Sequence, residues 1–248
     1  MKKNKMMRAA LALLVVTMLT MSIVSGTFAK YVTQGSASDS ARVAKFGVVV
    51  EGSSELFAKN YLETTNTPGE DTATLSVKSS GTAADDYVVA PGTQSKAEAM
   101  KLSVKGTPEV AVNVNFAVTA AKDIVLKKSN GLPDKTVAGN TTFDNAADYY
   151  PVKFTLKKGT ETLVTDDTLA AVEAALKDST LSKKYAAGTA LDTAIGDLVL
   201  TWKWDFETNN DKQDTLLGDL AANAATVDSG LYNLDTEFAV TVSVTQVD

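Results

Sequence analysis

Apolar and polar residues alternate along most of this chain with a period of two, the signature of strands that bury one face and wet the other. The clearest run is Val110, Val112, Val114, Phe116 and Val118, with Asn113, Asn115 and Thr119 on the opposite side. Leu102 and Val104, on the near side of Gly106, are expected to form its partner strand. The same alternation marks Phe46, Val48 and Val50, then Leu75 and Val77, then Val152, Phe154 and Leu156, and finally Phe238, Val240, Val242 and Val244. Leu198, Leu200, Trp202, Trp204 and Phe206 make the most apolar face of all. The pattern predicts a core that includes Val112, Val114, Phe116, Trp202, Trp204, Val240 and Val242.

The period changes in two places. Leu169, Val172 and Leu176 share a helical face, which predicts a helix over about Thr168–Asp178 capped by Asp166 and Asp167. Leu216, Leu217 and Leu220 predict a second short helix, with Asp214 as its cap. Ala90-Pro91-Gly92-Thr93 reads as a turn. Residues 122–148, with Asn130-Gly131, Pro133 and Gly139, read as an irregular excursion. Roughly seven strands, two short helices and no strand–helix rhythm define the fold class as all-β. The expected architecture is a jelly-roll-like β-sandwich with short decorating helices over residues 42–248.

Ahead of that domain the pattern is different. Lys2, Lys3, Lys5 and Arg8 precede an apolar run from Ala9 to Val24, and Ser25, Gly26, Thr27 and Ala29 follow it. This is the order of a signal peptide, expected over residues 1–29, with Thr27 and Ala29 as the small residues a peptidase reads and Lys30 as the first residue after the cut. The alternative is an uncleaved anchor, for which the apolar run falls short of the roughly 20 residues a span needs. Residues 30–41 form an N-terminal segment and linker: Gln34 to Ser40 are small and polar and suit a flexible tether.

Charge and composition narrow the function. Removing the signal takes four of the 24 Lys and Arg and none of the 30 Asp and Glu, so the formal net charge moves from −6 to −10. Such a surface repels phosphate backbones and anionic lipid, which argues against nucleic acid and, after cleavage, against a membrane as partner. The chain has no cysteine and no histidine. Zinc hydrolysis and the usual serine triad both lean on histidine, so neither chemistry has its ligands or its base here. Asp205, Glu207, Asn209, Asp211 and Asp214 are the densest group of oxygen ligands and a weak calcium candidate, but their spacing does not match an EF-hand loop. No metal, cofactor or catalytic residue is expected, and the chain is expected not to be an enzyme. A surface adhesin or carbohydrate-binding sandwich is the alternative class, and Tyr61, Tyr87 and Tyr232 are its candidate aromatics.

Five segments resemble the TasA/camelysin (CalY) family of secreted biofilm-matrix proteins. They are TFAKY at Thr27 to Tyr31, APGT at Ala90 to Thr93, GTPEV at Gly106 to Val110, YYPVKFTL at Tyr149 to Leu156, and WKWDFE with DKQDTLLG between Trp202 and Gly218. None is a catalytic motif. The resemblance implies export through a SipW-like signal peptidase and self-association into extracellular fibres, with other matrix proteins as further partners. It also implies that Lys30, Tyr31, Val32 and Thr33 add as a donor strand to the next subunit. Camelysin-type relatives carry a metallopeptidase label, which the absence of histidine and cysteine makes the least favoured reading.

Overall fold

A computed structural model describes residues 42–84, 86–128, 132–134, 141–143, 146–206, 209–223 and 230–247. The chain divides into two compact units, Met1–Phe46 and Gly47–Asp248. Of the first, residues 42–46 are described and carry no helix or strand. Thr27, Ala29 and the segment Lys30 to Thr33 lie outside the described residues.

The second unit is mostly β-sheet with a few short helices. Its elements are β1 (Val48–Ser54), β2 (Asn60–Leu62), β3 (Leu75–Lys78), β4 (Met100–Gly106), β5 (Val112–Lys122), β6 (Val125–Leu126), β7 (Leu132–Asp134) and β8 (Thr141–Phe143). There follow β9 (Lys153–Lys158), β10 (Glu161–Asp167), α1 (Leu169–Lys177), β11 (Lys183–Tyr185), α2 (Leu191–Ala194), β12 (Gly196–Lys203), α3 (Asp211–Asn223), β13 (Tyr232–Asn233) and β14 (Glu237–Gln246). Five strands form one antiparallel sheet in the order β1-β4-β12-β9-β10, and three form another in the order β11-β5-β14.

One hydrophobic cluster joins the two sheets. Val112, Val114 and Phe116 of β5 share it with Phe154 and Leu156 of β9 and Leu198, Leu200 and Trp202 of β12. Trp202 is the centre of its own environment: the indole Nε1 donates to the Leu56 carbonyl at 2.6 Å, and the rings of Phe57 and Tyr61 lie 5.7 and 6.0 Å away. An indole can be buried this completely because its one polar atom has found a partner.

Several expectations are corrected. The strand of Leu102 and Val104 does not pair with β5; β4 sits between β1 and β12, and β5 lies in the other sheet between β11 and β14. The chain changes sheets at Gly106, whose φ of +111° suits glycine and where any Cβ would collide with the Gly47 carbonyl. Val240 and Val242 are half-buried, because β14 is an edge strand with cover on one side only. Phe46 and Val50 point to solvent, so their alternation marks no buried face, and Phe206 is exposed beyond the end of β12. The excursion at 122–148 contains buried Ile124, Val125 and Leu126 and a short hairpin of β7 with β8.

The first helix is also held differently than expected. Leu169, Val172 and Leu176 are buried as its spacing predicts. Asp166 and Asp167 belong to β10, however, and the Leu169 N–H donates to the carboxylate of Asp123, at 3.0 Å to Oδ1 and 3.2 Å to Oδ2. The cap therefore comes from the turn after β5, 46 residues away in sequence. A third helix, α2, is a single turn anchored by buried Leu191.

Trp202→Ala is expected to cost about 3–5 kcal/mol in chemical denaturation, a large fraction of a domain's stability. Val242→Ala should cost clearly less, since its side chain is half-covered already. Equal losses would show that β14 is buried as deeply as β12.

Candidate functional site

A sheet edge presents unpaired backbone N–H and C=O groups, and proteins guard such edges with bulges, charges or short strands. Three of the four edges here are short or carry such guards. β10 has two register shifts and ends in Asp166 and Asp167, with Asp166 at a φ of +49°. β11 is three residues long and carries Lys183 and Lys184. β1 has an acid at Glu51, paired with Lys105 at 2.7 Å, followed by Gly52 and two serines.

β14 differs. It runs ten residues, EFAVTVSVTQ, with one charge at its first residue, one register shift against β5 between Ala239 and Val240, and neither proline nor lysine. Val242 lies opposite Phe116 and Val244 opposite Val114, on the face that β5 buries, yet both valines stay half-covered. Among the described residues β14 pairs only with β5, so a long and lightly guarded edge borders an apolar row that the fold leaves partly open.

A cleft of about 460 Å³ lies beside the start of this strand. Its walls include Phe57, Tyr87, Trp204, Asp214, Asp235 and Thr236. Asp214 does not cap its helix. The helix begins at Asp211, and the Asp214 side chain turns inward, where Oδ1 accepts the Tyr149 hydroxyl at 2.7 Å and the Trp204 Nε1–H at 3.2 Å. Burial pushes its carboxyl above the ordinary value of 3.8, and those two hydrogen bonds offset part of the shift.

This carboxylate links segments far apart in sequence. The turn at Ala90 to Thr93 is closed by the Thr93 hydroxyl, which donates to the Ala90 carbonyl at 2.6 Å. It docks on the end of β12, where Gly92 N–H donates to the Trp204 carbonyl at 2.7 Å and Trp204 N–H to the Thr93 carbonyl at 2.8 Å. Trp204 and Tyr149 then meet at Asp214. So APGT, YYPVKFTL, WKWDFE and DKQDTLLG, which are separate on the chain, form one junction in the fold.

The remaining candidates are scattered. Asp205 pairs with Lys203 at 3.2 Å, Asp211 opens α3, and Glu207 lies outside the described residues. Among the described residues no three carboxylates form a group that would hold a metal. Tyr61 is fully buried, with its hydroxyl accepting the Ala58 N–H at 3.2 Å and its phenol pushed up to about 12 by burial. Tyr232 is buried too, and Tyr87 alone of the three expected aromatics is open, at 54% exposure. Sequence reasoning missed the inward role of Asp214 because a lone acid before a leucine pair resembles a cap. Among the described residues no helix is long and apolar enough to cross a membrane.

Neither a family model, nor a curated protein, nor a solved structure matches the chain.

The titrating groups give a signed expectation. Burial raises Asp123 and Asp214, so the stability they contribute is full below 3.8 and is lost as pH rises through their folded values. Asp148, Asp178 and Asp197 are lowered, chiefly by hydrogen bonds from the Lys128 N–H, the Thr180 N–H and the Lys101 ammonium, so their contribution is present above 3.8 and lost as pH falls below it. Thermal melts from acid to neutral pH should therefore peak on the acid side of neutrality, and Asp214→Asn should flatten the limb above the peak. Steady destabilisation on every step below neutral pH would contradict this.

Proposed function

We propose that the chain is a secreted structural subunit of an extracellular matrix fibre, with residues Lys30 to Thr33 of one copy adding as a strand to the next. The observation that carries this reading is the β14 edge, ten residues long, uncharged after its first residue, and beside a half-covered row of valines. Strand addition satisfies such an edge through backbone hydrogen bonds and covers the apolar row with alternate donor side chains, here Tyr31 and Thr33 or Lys30 and Val32. A donor on one end of the molecule and an acceptor elsewhere make a heterologous contact, which repeats into filaments. The architecture is a jelly-roll-like sandwich, and export runs through a SipW-like peptidase that frees Lys30. The resemblance of the junction and of the segments that meet at Asp214 to the TasA/camelysin family supports the same reading.

Catalysis has no place in it. With no histidine and no cysteine in the sequence, purified protein should show no chelator-sensitive proteolysis. A carbohydrate-binding surface protein is the second reading, favoured by the exposed rings of Tyr87 and Phe206.

The fibre reading is tested by two versions of the protein. One beginning at Lys30 should elongate into filaments under electron microscopy. One beginning at Ala41 should keep the same circular dichroism spectrum and stay monomeric at high concentration. Filaments grown equally well from the shorter version would overturn strand donation.

A further inference from the structure

The cleft at Asp214 has features that the packing of the fold does not use. Both inward hydrogen bonds go to Asp214 Oδ1, which leaves Oδ2 without a partner among the described residues. Thr236 Oγ1 is, among the described residues, the buried side-chain polar atom with no hydrogen-bond partner, and Thr236 lines this cleft. An orphaned buried hydroxyl costs free energy that a bound group would recover. Asp235 supplies a second carboxylate, held loosely by Lys122 at 3.8 Å. Among the described residues no lysine or arginine lines the cavity, whose other walls are aromatic and aliphatic. Two carboxylates, one unfilled hydroxyl and aromatic walls select a cation carried on an apolar body.

The structure thus points to a ligand class, and the sequence contains a matching occupant. Between residues 30 and 41 the one cation is Lys30, directly followed by Tyr31. Cleavage ahead of Lys30 would add an α-ammonium to its ε-ammonium. We propose that this cleft seats the Lys30–Tyr31 end of a second copy, with an ammonium at Asp214 Oδ2, Asp235 and the Thr236 hydroxyl, and the Tyr31 ring against Phe57 and Tyr87. The identity of the occupant rests on the fibre reading above. The placement fits it: Ser54 at the end of β1 and Glu237 and Phe238 at the start of β14 line a smaller cleft that also contains Phe57, Tyr87 and Thr236. A chain end held here leaves along β14, in the same direction as that strand, and the tether Gln34 to Ser40 follows. Signal removal then creates one of the charges that the site recognises, so an unprocessed copy is a poor donor.

The probe is the tetrapeptide Lys-Tyr-Val-Thr, titrated into the whole protein beginning at Lys30 and read by indole emission and by chemical shifts of the cleft residues. The free peptide should bind, and N-acetyl-Gln-Tyr-Val-Thr should bind about tenfold more weakly or worse, the value of one lost charge-assisted hydrogen bond. Asp235→Asn and Tyr87→Ala, both at exposed positions, should each weaken binding of the free peptide and slow filament elongation while leaving the thermal melt unchanged. Equal binding of the charged and neutral peptides, or full affinity in both variants, overturns the seat. The two proposals fail separately. Filaments from the version beginning at Ala41 remove the fibre reading whatever the peptide does. Normal elongation by both variants, with no filaments from the shorter version, keeps strand donation and removes this seat.

Discussion

The Asp214 carboxylate is the point at which distant parts of the chain are tied together. Tyr149 approaches it from just ahead of β9, Trp204 from the end of β12, and through the Trp204 backbone the turn at Ala90 to Thr93 is fixed as well. A half-buried charge is expensive unless it is satisfied, and two donors converging on one oxygen hold α3 against the sheet at a defined place. Removing the carboxylate takes away the acceptor of the Trp204 indole N–H and breaks its bond to the Tyr149 hydroxyl at the same time, so the loss spreads to three segments rather than one. The same group, being incompletely used, also gives the cleft beside β14 its polar floor.

Edge management explains the rest of the surface. β10 is bent by its register shifts and β11 is nearly too short to template anything. On β14 the fold leaves only one register shift against β5, between Ala239 and Val240, and a single charge at Glu237, so the row of Val240, Val242 and Val244 stays half-covered beside a long, lightly guarded edge. An edge of this kind is a hazard in an isolated protein and a resource in one that polymerises.

Much of the secondary structure was legible in the sequence because antiparallel strands with one wet face print their period directly. The buried faces of Val112 to Phe116, Val152 to Leu156 and Leu198 to Trp204 follow from alternation alone. Pairing was not legible: β4 and β5 are neighbours in sequence, yet Gly106 carries the chain from one sheet to the other, and nothing in a period of two encodes that change. Nor was the source of the α1 cap, since Asp166 and Asp167 stand in the right place while Asp123 does the bonding from another element. Tyr61 and Tyr232 were misread for a similar reason, because a tyrosine in a polar stretch gives no sign of which ring will be enclosed. In the candidate site, the apolar walls came from readable strands and turns, but the convergence at Asp214 is purely tertiary.

The long-distance cap on α1 has a kinetic consequence. A helix of nine residues is too short to persist in water by itself, and its stabilising carboxylate is held by a turn that exists only once β5 and β6 are in place. β5 in turn pairs with β14 across separations such as the 120 residues between Thr119 and Ala239. The β5–β14 pairing, and with it the turn that caps α1, therefore waits on the closing of a large loop, which is slow, whereas the β9–β10 hairpin is local. A polypeptide emerging from a ribosome would be unable to complete this sheet until β14 had been made, and α1 would be among the last parts to set.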